Sequence, residues 1–355
     1  MRIVKKCVLT MLALLALLGC DNEHTPSAPV DHGVISFDKV STRTSLENIM
    51  EDENGFTVYG TVHNGANPNG YWLFNNQKVT YDLNSSLWVY SPVKYWVENT
   101  IFSFAAIYPG DKTVVLDKYI KDTENNIPIS HLTFDYTTNQ YANEDVLWAS
   151  SVVDTNVADY DRTVNLNFGH LLTKINLKVQ KDAGINRDDN FIIDKVTLSG
   201  VKSSGSYYFI PFNGSLDAQR WVMDGDSETM SFSKQYDGNY ILTNSDVITI
   251  FDEGLMLIPQ AIEAYNEDNP NKTKPIAVTI EYRFGLSGNN DLATYENKVF
   301  TAYLPSDEDL EDPTWKPGRS ISYTAMLSTS DPIKISAPTI EPWGNLQSGG
   351  TIIIK

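Results

Sequence analysis

The sequence predicts an all-β protein built as two tandem antiparallel β-sandwich domains with little helix. Short runs alternate apolar and polar residues with a period of two, clusters of turn-forming residues separate them, and no long stretch keeps a helical period. At 355 residues, 41% hydrophobic and 11% aromatic, the chain is long enough for two domain-sized cores.

The first segment is not part of that fold. Arg2, Lys5 and Lys6 precede an apolar run from Cys7 to Leu18, which ends in Leu17-Leu18-Gly19-Cys20. This layout is a bacterial secretory signal with a small residue before the cleavage point. The run is too short to span a bilayer as a mature helix. A cysteine placed there reads as a lipobox, so residues 1–19 are expected to be removed and Cys20 to carry the lipid (palmitate). Cys7 then leaves with the signal and Cys20 is used for acylation. No thiol remains for a disulfide, and the fold rests on its hydrophobic cores. Residues 20–43 form the lipidated tether and a first strand. Asp21, Asn22, Glu23, Pro26, Ser27, Pro29 and Gly33 give the tether its polar, proline-bearing character.

The clearest strand runs from Ile276 to Phe284, where Ile276, Val278, Ile280, Tyr282 and Phe284 share one face. Ile175, Leu177 and Val179 alternate with lysines and glutamine in the same way. The stretch 101–108 is apolar on both faces, as in a strand buried between two layers. Val299 to Leu304 and Ser322 to Leu327 repeat the pattern. Turns are marked by Asn67-Pro68-Asn69-Gly70, Asn213-Gly214, Asp237-Gly238-Asn239 and Ser287-Gly288-Asn289-Asn290. A polar stretch around 150–161 suggests the boundary between an N-terminal domain, 44–160, and a C-terminal domain, 161–355.

Charge excludes one class of partner. With 27 Lys+Arg against 45 Asp+Glu the formal net charge is −18, a surface that repels phosphate backbones and anionic headgroups. Nucleic acid is therefore not expected, and attachment to a membrane falls to the lipid alone.

The residues present no catalytic signature. There is no His-Glu-x-x-His, no Gly-x-Ser-x-Gly and no phosphate-cradling glycine loop, so an enzyme, a cofactor and a metal are not expected. His170 sits in the apolar run Phe168-Gly169-His170-Leu171-Leu172, where a packed structural histidine outweighs a catalytic one. The acidic run 307–312 and the group Asp224, Asp226, Glu228 offer oxygens for calcium but lack the spacing of a dedicated loop; solvated turns fit them better. Tyr71-Trp72 and Tyr95-Trp96 admit two readings, a stacking platform for sugars or ordinary core and rim aromatics.

Several segments together resemble the fimbrillin family, the lipoprotein subunits of Bacteroidetes surface fimbriae (type V pili). Cys20 is followed by the acidic Asp21 and Glu23; Gly33-Val34-Ile35-Ser36-Phe37 leads into Ser41-Thr42-Arg43-Thr44. Phe56-Thr57-Val58-Tyr59-Gly60, Tyr90 to Trp96 and Phe102 to Pro109 follow. Leu166 to Lys174, Trp315 to Tyr323 and Pro338 to Trp343 complete the series, which covers nearly the whole chain.

The resemblance implies transthyretin-like, Greek-key sandwiches and a structural role in a fimbrium that supports adhesion. It implies a first strand filling a groove in the N-terminal domain, with Ile35, Phe37 and Val40 as the filling residues. It further implies that a trypsin-like surface protease cuts between Arg43 and Thr44, severing the lipid anchor and freeing the strand. A strand from another copy, or a related subunit, then takes its place. Ile333 and Ile335, and the terminal Ile352, Ile353 and Ile354 after Gly349-Gly350, are the donor candidates. The terminal isoleucines equally suit a strand that completes its own C-terminal domain. The expected location is the outer membrane surface as a lipoprotein, then the fimbrium, with host glycans or proteins as adhesion targets. Two alternatives stay open: a fimbrial tip or accessory subunit, and a monomeric surface lipoprotein that binds glycans.

Overall fold

The structure is a computed structural model. It describes residues 33–42, 46–64, 67–112, 115–121, 128–182, 190–209, 220–223, 228–237, 241–242, 246–263, 275–286, 288–289, 291–304, 314–328 and 334–343. Among these the chain is almost entirely strand. The first half holds β1 (Ser36–Thr42), the short helix α1 (Leu46–Glu51), β2 (Phe56–Asn64), β3 (Asn67–Asp82), β4 (Leu87–Val89) and β5 (Ile101–Tyr108). It continues with β6 (Val115–Lys121), β7 (Pro128–Thr137), β8 (Leu147–Asp154) and β9 (Thr163–His170). The second half opens with β10 (Thr173–Lys181), β11 (Asn190–Lys202), β12 (Ser204–Phe209), β13 (Arg220–Val222), β14 (Thr229–Gln235) and β15 (Ile241–Leu242). It ends with β16 (Val247–Thr249), β17 (Leu255–Leu257), β18 (Ala277–Gly285), β19 (Glu296–Tyr303), β20 (Arg319–Leu327), β21 (Lys334–Ile335) and β22 (Thr339–Pro342).

A seven-stranded sheet takes the order β1-β9-β8-β5-β2-β3-β4. It curls back on itself: Val34, just before β1, bridges to Tyr95, shortly after β4. β9 lies past the expected boundary at 160, yet it belongs to this first sheet, hydrogen-bonded to β1 on one side and β8 on the other. Its Val164, Leu166, Phe168 and His170 alternate into the interior, and the chain changes sheet at Leu171-Leu172. The polar stretch that suggested a boundary is the loop between β8 and β9.

Beyond Leu172 two sheets share one core. The six-stranded sheet runs β16-β10-β20-β21, with β17 and β22 alongside; the five-stranded sheet runs β14-β11-β18-β19, with β15 alongside. Ile175, Leu177 and Val179 of β10 meet Val196, Val278 and Ile280 from the facing sheet in this core. Trp315 is fully buried there and donates from Nε1 to the Tyr323 hydroxyl at 3.0 Å.

Most ladders are antiparallel, but β1–β9 and β10–β20 are parallel. Parallel neighbours require long connections, and both pairs join strands more than a hundred residues apart. A four-stranded sheet, β13-β12-β7-β6, draws one hairpin from each half of the chain. It packs through Phe134, Tyr136 and Tyr207 against Tyr59 and Ile107 on the outer face of the first sheet, with Leu171, Leu172 and Trp343 in the same cluster. The two halves are thus sewn together by shared strands and a shared core.

Gly60 marks a tight point among the aromatic rings of the first core. A Cβ there would come within 2.8 Å of Phe74 Cδ2 and 3.1 Å of Phe104 Cδ1. Gly60→Ala should therefore cost about 1–3 kcal/mol in denaturant unfolding, the usual penalty for overpacking. Gly169→Ala adds its methyl where nothing lies within 4 Å, and should stay within about 0.5 kcal/mol of the parent.

Candidate functional site

The first strand and the groove around it form the feature that stands out chemically. The chain enters at Gly33, whose φ of 65° lies in the left-handed region that glycine adopts without strain. From there the strand is gripped on two sides. On one, Ile35 N–H donates to Lys94 O at 2.9 Å and Trp96 N–H donates to Gly33 O at 3.2 Å. On the other, residues from Ser36 to Thr42 run parallel to β9, ending with Thr42 opposite Phe168.

The register of that ladder contains one irregularity. Ser36 pairs with Thr163 and Lys39 with Asn165, so β1 advances three residues while β9 advances two. The extra residue is a β-bulge, and it shifts the phase of the alternation. Strict alternation from Ile35 and Phe37 would leave Val40 facing outward; the bulge turns it in. Ile35, Phe37 and Val40 are all buried, while Asp38 between them is exposed. Ser41 donates from its hydroxyl to Asn167 Oδ1, tying down the last turn of the strand.

Phe37 is the centre of the core. Its ring meets Tyr90 at 5.6 Å, Phe74 at 5.7 Å, Phe104 at 6.1 Å and Phe56 at 6.2 Å between centroids, each edge-on at 70° to 88°. Edge-to-face contacts place the positive rim of one ring on the negative face of the next and add to the burial energy. Tyr90 also donates from its hydroxyl to Ile35 O at 2.7 Å. Burial raises the pKa of that hydroxyl above the ordinary tyrosine value, which keeps it a donor. Trp96 fixes the far rim: it is buried against Phe102 at 4.8 Å, and its Nε1 donates to Arg162 O at 2.9 Å.

The remaining expected residues fall in different places. Cys20, Arg43, Thr44, Ile333, Ile352, Ile353 and Ile354 lie outside the described residues, as do Asp224, Asp226 and the acidic run 307–312. Arg43 and Thr44 fall between the end of β1 at Thr42 and the start of α1 at Leu46. Ile335 is half-buried on β21, opposite Ala325 at the margin of the second core. The structure does not bring it to the groove. β22 pairs with Arg319 to Ser322 and is mostly exposed; the last firm anchor is Trp343, whose N–H donates to Gly318 O at 2.9 Å.

The sugar-platform reading loses much of its support, because Trp96 is core and only Tyr95 of that pair faces out. Trp72 is half-buried against the cluster that joins the two halves, leaving Tyr71 exposed. His170 is a packed residue. Its Nδ1 meets Asp145 Oδ2 at 2.8 Å, the imidazole donating, and its ring stacks on Trp343 at 3.9 Å and 9°. Trp343 and Asp145 were not legible as its partners, since they come from distant segments. Asp145 also borders a cavity of 390 Å³ with Tyr108, Asp111, Lys112 and Glu144. Lys112 hydrogen-bonds Glu144 at 2.9 Å and holds its carboxyl below the usual glutamate range. Burial, and after it the neighbouring carboxylates, push the Tyr108 hydroxyl up to about 12. No group of three His, Cys, Asp or Glu suited to a metal occurs among the described residues, and no helix there is long and apolar enough to cross a membrane.

If Phe37 is the keystone of the first core, Phe37→Ala should cost about 3–5 kcal/mol in urea unfolding of the uncut protein, as for other buried aromatics. Asp38→Ala, one residue on and exposed, should fall within about 0.5 kcal/mol of the parent.

Comparison with known proteins places this architecture. A fimbrial protein from Bacteroides vulgatus has a similar fold, with a TM-score of 0.61 at 17% identity over 87% of this chain and 99% of that one. Proteins described as cell adhesion proteins from Bacteroides uniformis and Bacteroides ovatus align more loosely. Their TM-scores are 0.43 and 0.42, at 16% and 15% identity, over 89% and 88% of this chain and 100% and 98% of theirs. No curated protein matches the chain significantly. The fimbrillin-like family profile matches residues 42–343, most of the length of the sequence, and this chain belongs to that family.

Proposed function

We propose that the protein is a structural subunit of a surface fimbria, assembled by replacement of its own first strand. The observation that carries this reading is the position of Phe37: the centre of a core is filled by an edge strand that has a regular ladder on one side only. Ile35, just before β1, and Phe37 and Val40 on it contribute about 1.5–3 kcal/mol each, and the groove keeps that value for any strand with apolar residues at the same places. The family match begins at residue 42, at the end of β1 and one residue before Arg43.

In this reading Cys20 carries the lipid and holds the subunit at the outer membrane. A trypsin-like surface protease cuts after Arg43 and separates β1 and its anchor from the folded body. The vacated groove accepts a strand from a second copy or a related subunit, with Ile352, Ile353 and Ile354 as the donated residues and Ile333 and Ile335 on the segment that releases with them. Release of this segment gives up two short pairings on β20 and, at its end, the buried Trp343 with its stack on His170. A head-to-tail contact of this kind builds a filament.

Limited trypsin digestion of the chain from residue 21 onward, read by intact mass and electron microscopy, tests this reading. The expected result is cleavage at Arg43, release of the 21–43 peptide and growth of filaments, all abolished by Arg43→Gln. Resistance at Arg43 while other sites are cut would remove the mechanism. A clean cut and peptide release with no filaments would reassign the protein as a tip or accessory subunit.

A further inference from the structure

The groove has an outer rim that the strand-replacement reading leaves without a role. Leu87 and Val89 on β4, then Val93, Tyr95 and Val97 on the extended segment after it, point alternately outward, with Val34 joined to Tyr95 by the bridge at the groove mouth. Each is between 39% and 52% exposed, while Trp88 and Trp96, which alternate with them, are buried. Single exposed apolar residues are ordinary; the five that stay on this wall after Val34 leaves with the released peptide form a row that marks a contact surface. β4 is also the terminal strand of its sheet, three residues long and paired on one side only.

We infer that this row is the surface on which the body of the strand-donating copy docks, a second contact beside the donated strand itself. The inference rests on the strand-replacement reading, and two further observations single out the occupant. First, the row is continuous with the groove. A strand that replaces β1 lies between β9 and Lys94–Trp96, so the subunit delivering it is held against this wall. Second, residues 44–355, which remain after the cut, hold 22 Lys+Arg against 41 Asp+Glu, and two such acidic bodies repel unless they meet through faces poor in charge. From Leu87 to Val97 the only charged residue is Lys94, and it is half-buried. An uncharged wall on a strongly acidic molecule is the face that a second acidic copy can approach.

The test separates strand uptake from body docking. Val89→Glu/Val93→Glu is made in the chain from residue 21 onward, trypsin-cut at Arg43 beside the parent. Two signals are followed: binding of a labelled synthetic peptide of residues 349–355 to the cut protein, and filament growth by light scattering and electron microscopy. The expected variant melts like the parent and takes up the peptide with unchanged affinity, but elongates at least tenfold more slowly. Val299→Glu, a more exposed valine on β19, should elongate normally. Unchanged growth of the double variant overturns the inference, and so does equal slowing by Val299→Glu, which would make the loss a general effect of added charge. A parent that neither binds the peptide nor polymerises after the cut removes the strand-replacement reading and this surface with it.

Discussion

The packing of Phe37 against the edges of Phe56, Phe74, Tyr90 and Phe104 is the contact on which the first half of the molecule depends. A core usually centres on an interior strand that can leave only by unfolding. Here the centre is supplied by β1, the terminal strand of its sheet. Ile35, Phe37 and Val40 together bring roughly 5–9 kcal/mol of burial, comparable with the whole stability of an ordinary domain. The emptied groove is therefore not a resting state: it must collapse, regain its strand or take another.

Covalent attachment decides which of these happens. While β1 is joined to the body, the effective concentration of the strand at its groove is high, and an external strand competes poorly. A break between Thr42 and Leu46 turns the same contact into an intermolecular one, and dilution then works against it. The parallel ladder, interrupted by its bulge, and the short grip at Lys94–Trp96 are modest restraints on their own. The aromatic contacts do most of the holding, and they recognise apolar shape more than a particular sequence. The second half is built differently: its two sheets share an aliphatic core with Trp315 and Tyr323 locked inside, and the hairpins β6–β7 and β12–β13 join it to the first half.

Much of the fold was legible because burial on one face leaves a period of two. β18 was read within a residue at each end, β20 was read to its last residue but from Ser322 and not Arg319, and the inward set of β10 was read correctly. Ile35, Phe37 and Val40 were reached through family likeness alone, and the bulge that turns Val40 in is a property of pairing with β9 that leaves no local mark. Pairing partners were not legible at all: the parallel β1–β9 ladder and the sheet shared between the halves link segments whose patterns are indifferent to their neighbours. The pairing of β9 with the first sheet was hidden for the same reason, since a polar loop looks alike within a domain and between two. Tyr95-Trp96 could have been read more sharply. Adjacent residues on an extended chain face opposite ways, so the pair could never have offered two outward rings.

The central claim is that the place of β1 is taken by a strand from another molecule. The structure of the assembled fibre, determined at a resolution that identifies side chains beside β9, tests it most directly. The account predicts a strand that begins in a neighbouring copy, with apolar side chains in the positions of Ile35 and Phe37 against Phe56, Phe74 and Phe104. A fibre in which residues 33–42 of the same chain still fill that groove would contradict it.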